Sequence, residues 1–456
     1  MLFSSLEFLF IFFPFFLLSL YLLKRYKKLV IISFSIFFMY IIEQEFIFYL
    51  TLICLFNFYI SRFLINKNKR KILVLSIFIN LLILIYYKYL NFFLDTFNFS
   101  TLEHVILPVG ISFISFHSIS YLVDVYDKKI QPEKNFSNFF LFIFMFPQII
   151  SGPITRYSKV YKSIYLLKTL YNNVGLYYVF LGLCQKVLIA DYLSIYVNNF
   201  YSLNNFQTGL NGLDSLLVAG IYMFQLYFDF SGYSHIAIGL GLIMGIRLPK
   251  NFNFPLSSFT IGEFWKKWHI SLSTFIRDYL FIKINKAFKI KPNENNYKYF
   301  LSIIFCLSLS GIWHGANFTF LIWGILHGIL ISFEKIFNLD KKRNFILKLY
   351  FILSVCFTFV FFRSPTIEFA NETIYAMFFK FNFMEAIILQ HLNFRMYFTL
   401  LLCFFLASSR SRFFLRKLKK FMVKTFIGNI FFILVIFILI SEILSQNYSP
   451  FIYFRF

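Results

Sequence analysis

Long apolar runs recur along almost the whole chain, separated by short polar breaks that carry most of its charge. The runs fall near 6–23, 29–42, 46–61, 72–90, 104–123, 173–190, 213–230, 299–316, 318–333, 345–362, 396–408 and 426–445. Each is long enough to cross about 30 Å of hydrocarbon, or nearly so with its flanking Tyr, Trp and Lys. Backbone amides in lipid must be bonded internally, and no stretch shows the alternating strands of an outer-membrane barrel. The pattern predicts an all-α polytopic membrane protein with about 11–12 transmembrane helices.

The breaks alternate in charge: Lys24, Arg25, Lys27 and Lys28 are basic, Glu43 and Glu45 acidic, Arg62 to Lys71 basic, Asp95 and Glu103 acidic. That alternation puts the N-terminus outside. The later basic segments 156–168, 247–291, 335–348 and 410–424 are then cytoplasmic. Segment 136–152 therefore enters and leaves on one side and reads as re-entrant, broken by Pro147, Gly152 and Pro153. Within 257–290, Trp265, Trp268, Leu272, Phe275, Ile276 and Tyr279 recur at helical spacing, with Lys266, Lys267, Arg277 and Asp278 on the other face. This is the pattern of an amphipathic helix lying in the interface plane.

Composition excludes a soluble protein. Of 456 residues 59% are hydrophobic and only 14% charged, with 72 Phe and 30 Tyr, more apolar area than one globular core can hide. The net charge of +24 would suggest nucleic acid in a soluble chain; here the cations sit in loops between spans, so no nucleic-acid partner is expected and membrane lipid is. The five Cys are scattered singly through apolar segments with no CxxC pair, so they read as small buried hydrophobes. No repeat or soluble linker appears, and 1–456 is expected to form a single integral-membrane domain. Its first apolar run has no basic leader or cleavage site and reads as a retained span.

Ionisable groups inside apolar segments are costly and are functional candidates by default. In SLSGIWHGANFTFLIWGILHG (308–328), His314 lies between Gly311 and Gly315 beside Trp313. The glycines allow close approach by a ligand or a helix, and a buried neutral imidazole can act as a general base; a helix-packing His is the alternative. His269, in EFWKKWHISLS, is equally readable as a solvated polar-face residue, and His327 as structural. Asp229 could orient an imidazole or pair with Arg247 at a helix end. His104, His117 and His391 have no partner at metal-ligand spacing, so no metal site is expected. The absence of GxSxG, P-loop and GxGxxG patterns removes serine-hydrolase, NTP-driven and dinucleotide chemistry.

The segments LPVGISFISFHSISYLVDVY (107–126), FPQIISGPITRY (146–157), YFDFSGYSHIAIGLG (227–241), FWKKWHISLSTFIRDY (264–279), GIWHGA (311–316), FVFFR (359–363) and the terminal FIYFRF, with FSSLEFLFIFFP at the start, follow one another in order. Together they resemble the membrane-bound O-acyltransferase (MBOAT) family, in the branch of the alginate and peptidoglycan O-acetyltransferases, and more distantly the teichoic acid D-alanyl transferase. The resemblance implies the MBOAT fold, a bacterial inner-membrane location and acetyl-CoA as donor substrate with no bound cofactor. It places the family's membrane His on His314 and its second polar residue on His269. Trp313, Asn317, Lys266, Lys267 and Asp229 are then expected to bind substrate, the lysines through CoA phosphates. It further implies an external SGNH-type transferase as partner and a cell-envelope glycan as acceptor. Heavy use of Phe, Ile, Lys, Asn and Tyr hints at an AT-rich genome and inclines the acceptor to peptidoglycan, with alginate or another exopolysaccharide as the alternative. An apolar tail ending the chain is expected to fold back, making Tyr453 either an acetyl carrier or an aromatic-belt anchor. A transporter with a His relay and a membrane scaffold are the readings from other classes.

Overall fold

The computed structural model describes residues 1–65, 69–99, 105–150, 152–167, 172–202, 210–291, 297–382, 386, 388, 393–445 and 451–452. Among them every regular element is helical. The elements used below are α1 (Phe13–Leu22), α2 (Lys27–Ile42), α3 (Ile47–Ile60), α4 (Lys69–Thr96), α5 (Ile111–Tyr126), α6 (Phe136–Phe144), α7 (Tyr157–Leu166), α8 (Asn173–Phe200), α9 (Gly212–Met244), α10 (Ile261–Trp265), α11 (Ile270–Ile276), α12 (Tyr297–His314), α13 (Phe318–Ile336), α14 (Phe345–Arg363), α15 (Ile367–Phe379), α16 (Phe394–Ala407), α17 (Ser411–Lys424) and α18 (Phe426–Ser445). Several of their starts are set by the residue just before them. The side chains of Asn135, Thr260, Asn317, Asn344, Thr366 and Asn393 each accept an N–H of the first turn that follows, satisfying amides that a helix cannot bond itself.

The described residues pack as two compact units, each drawn from segments far apart in sequence. One comprises 1–183, 233–250, 443–445 and 451–452; the other comprises 184–232 and 251–442. Neither is a continuous stretch set off by a linker.

Seven of the described helices are long and apolar enough to cross a membrane, or up to nine if each of two bent pairs is one span. The chain is thus an all-α, multi-pass membrane protein, with fewer full-length spans than apolar runs. Part of the difference lies in bends, which a hydropathy window cannot see, and part in short helices such as α5, whose 16 residues begin inside the run 104–123. The runs 6–23 and 29–42 belong to helices meeting at 103°, and α16 turns into α17 at 96°. Helix α17 carries Arg412, Arg416, Lys417, Lys419, Lys420 and Lys424 among Phe413, Phe414, Leu415, Leu418 and Phe421, the pattern of an interfacial helix.

Segment 136–152 is broken as expected. Helix α6 has 9 residues, about 13 Å of rise, and stops at Met145, where ψ swings to 114° ahead of Pro147. Buried Gln148 donates to Phe142 O and accepts from Thr155 Oγ1 at 2.9 Å, so protein groups bond the freed backbone there. In the same unit, Phe451 is fully buried and stacks on Tyr233 with ring centres 4.2 Å apart.

Candidate active site

Helices α12 and α13 form a tight antiparallel hairpin. A Cβ on Gly311 would lie 2.1 Å from Phe320 O, and one on Gly324 would lie 2.3 Å from Leu307 O. The glycines beside His314 therefore admit a neighbouring helix rather than a ligand. The hairpin turns at Gly315–Asn317, so His314 ends α12 and is only 2% exposed. Its ring lies 5.0 Å from that of Trp313, 5.4 Å from that of Trp323 and 5.4 Å from that of Phe362. Trp323 and His327 are neighbours on α13, ring centres 4.8 Å apart. The indole of Trp323 thus neighbours both His314 and His327, while His327 Nδ1 accepts from Trp265 Nε1 at 3.3 Å.

Trp265 is held by the N-terminus of α10, where Glu334 accepts from the N–H groups of Ile261 and Gly262. The expected continuous interfacial helix does not form after it. The chain turns over Lys266–His269 and restarts as α11, because N–H and C=O groups on both sides of His269 bond to residues 251–253 instead of to a helical ladder. His269 is consequently buried, 1% exposed, and not on a solvated face. Its ring stands 4.6 Å from Phe230, 6.2 Å from Trp313 and 6.2 Å from His314. Burial pushes its pKa down to about 3, so it is neutral at physiological pH. All four Trp of the chain, Trp265, Trp268, Trp313 and Trp323, belong to this cluster.

The other expected residues are placed as follows. Trp313 is in the cluster. Lys266 is exposed, and Lys267 pairs with Glu263 at 2.7 Å. Asn317 serves the fold, capping α13 through Oδ1 and donating from Nδ2 to Pro365 O at 3.0 Å. Asp229 pairs with Lys186, whose Nζ lies 2.8 Å from Asp229 and 2.7 Å from Asp191. Tyr453, His104 and His391 lie outside the described residues. Sequence reasoning missed Lys186, Phe230, Trp323 and Phe362. A lone Lys in the apolar stretch before Asp191 was the available signal for the first; the aromatic partners carry none.

Two buried imidazoles, each packed among aromatic rings, can take up a proton and pass it on without either keeping it. Residues 133–351 match the model of the membrane-bound O-acyltransferase family. The chain is 36% identical to the Pseudomonas putida protein named "Probable alginate O-acetylase AlgI", over 83% of the chain and 80% of that protein. It is 32% identical to the Helicobacter pylori peptidoglycan O-acetyltransferase, again over 83% and 80%. A teichoic acid D-alanyltransferase of Bacillus subtilis is 32% identical over 53% of the chain and 62% of its own length. With its helical membrane architecture and a matched region that contains both His269 and His314, the chain belongs to the membrane-bound O-acyltransferase family.

Proposed function

We propose that this acyltransferase takes acetyl from cytoplasmic acetyl-CoA and delivers it across the membrane for O-acetylation of a cell-envelope polysaccharide, peptidoglycan first. The observation that carries the chemistry is the pairing of buried His269 and His314, with ring centres 6.2 Å apart. His314 takes the proton of the hydroxyl that receives the acetyl group. A C–O bond forms as the C–S bond of the thioester breaks, and the proton reaches the leaving thiolate through His269. The reaction releases no net proton, so neither ring needs to hold a charge between turnovers. Exposed Lys266, with Lys267, attracts the CoA phosphates.

Relatives named for alginate and for peptidoglycan match at 36% and 32% identity, so the acceptor rests on the AT-rich residue usage, with alginate or another exopolysaccharide as the second reading. Comparing acetyl on wall and capsule with and without the gene separates them. We read Tyr453 as the first hydroxyl acetylated and an external SGNH-type transferase as the partner that takes the ester onward; Phe451, two residues earlier, is itself buried. Tyr453→Phe keeps the ring and deletes the nucleophile. Normal glycan acetylation by that variant, with no acetyl adduct on the wild-type C-terminal peptide, would leave Tyr453 an anchor.

The test of the whole reading is purified protein given labelled acetyl-CoA. Release of free CoA that disappears in His314→Ala is expected; a His-relay transporter or a scaffold gives no turnover in either.

A further inference from the structure

His269 adopts φ 40° and ψ 53°, the left-handed region that residues bearing a Cβ avoid because it crowds the following carbonyl. Such strain persists only where surrounding bonds impose it. Those bonds come from residues 251–253, which run antiparallel to 267–271. Asn253 N–H donates to Lys267 O at 3.0 Å, and Ile270 N–H donates to Asn251 O at 2.9 Å. Between these two bonds His269 has no freedom to relax into a helix. The Asn251 side chain, 1% exposed, closes the arrangement: its Oδ1 accepts the Ser271 hydroxyl at 2.6 Å and the Ser271 N–H at 3.4 Å. Ser273 Oγ braces the other side by donating to Trp268 O and His269 O at 3.0 and 3.1 Å.

The left-handed turn is what lifts the imidazole off the amphipathic surface predicted by the helical spacing and sets it against Phe230, Trp313 and His314. We infer that Asn251 is a positioning residue for His269, holding its backbone in the conformation that brings the two imidazoles together. The inference rests on the proposed role of His269 in acyl transfer. Asn251 touches neither the acetyl group nor CoA in this scheme; it acts through His269 alone.

The test uses the full chain in detergent with acetyl-CoA and compares Asn251→Leu, Asn251→Asp and Ser271→Ala, each alone and with His269→Ala. Asn251→Leu removes the acceptor and is expected to lower kcat about tenfold to a hundredfold, the cost of a small misplacement of a reacting group, with KM for acetyl-CoA unchanged. Asn251→Asp keeps an acceptor oxygen and is expected to retain most of the rate. In the His269→Ala background Asn251→Leu is expected to cost less than about twofold, since two residues acting as one unit are not additive. Where Asn251→Leu fails to fold, Ser271→Ala carries the same comparison with a smaller loss. A normal kcat in these variants beside an impaired His269→Ala, or an equal loss with and without His269, overturns the positioning role while leaving the proposed chemistry intact. Normal turnover by His269→Ala itself overturns both.

Discussion

Two buried polar groups lie in the same compact unit, and their surroundings differ. Lys186 and Asp229, each 1% exposed, together with Asp191 form an ion cluster whose bonds of 2.7 and 2.8 Å join charge to charge. His314 and His269 are as deeply buried, among the rings of Trp313, Trp323, Phe362 and Phe230. Charges fixed to one another are already neutralised in place and gain little by meeting a substrate. Imidazoles packed among rings are held in orientation while their acid–base capacity stays available for proton transfer. Helix α9 serves both groups, since consecutive residues point in different directions around a helix: Asp229 meets Lys186 and Phe230 meets His269. On the proposed mechanism the ion cluster fixes the frame, and the aromatic cluster holds the chemistry.

If that division holds, the largest effect belongs to His314→Gln, with acetyl-CoA turnover down about 10²–10⁴-fold, the usual cost of a lost general base, and a melting temperature close to wild type. A variant retaining more than about a tenth of the rate would strip His314 of the role. Lys186→Met should do the reverse. It leaves two carboxylates facing each other without the cation they share, a loss of about 3–5 kcal/mol in stability, and turnover per folded molecule should fall far less. Replacing the pair together, with Lys186→Met and Asp229→Leu, should recover much of that stability because no charge remains on either residue. If Lys186→Met melted normally and lost turnover, the cluster would belong to the chemistry and the comparison would collapse.

How much the sequence discloses differs between the two groups. The membrane class and the helical architecture follow from the length of apolar runs, a local property. The burial of His314 was legible, because it is an ionisable ring set between glycines deep in an apolar run. The burial of His269 was not, since helical spacing runs straight through Lys266–His269 and the break depends on residues 251–253, bonded across a turn of chain. Lys186 and Asp229 lie on different helices, and no periodicity pairs them. The structural part of Asn317 was legible too, since an Asn directly before Phe318-Thr319 is a helix cap.

A smaller effect is expected from pH. The folded chain keeps His269 neutral down to about 3, whereas an exposed imidazole titrates near 6.5. Between those values the unfolded chain binds a proton that the folded chain refuses, so this contribution to stability is whole above pH 6.5 and is lost as pH falls towards 3. Melting followed from pH 7 to 4 should therefore drop less steeply in His269→Gln than in wild type. Parallel curves would mean that water reaches the ring and that the aromatic shell is not closed.

The smallest effect concerns Asn317, which tests where the aromatic cluster ends. Its Oδ1 caps α13 and its Nδ2 reaches Pro365 O at 3.0 Å, so both ends of the amide are occupied by the fold. Asn317→Ala should then cost about 0.5–2 kcal/mol, the usual loss for an N-cap, seen as a lowered melting temperature with acetyl-CoA KM unchanged. Asn317→Asp keeps the capping oxygen, and its negative charge at a helix N-terminus is favourable, so it should melt closer to wild type than the Ala variant does. A substrate-binding Asn317 would reverse this order of symptoms. KM would rise in both variants, melting would barely move, and the boundary of the site would have to be redrawn past the turn after His314.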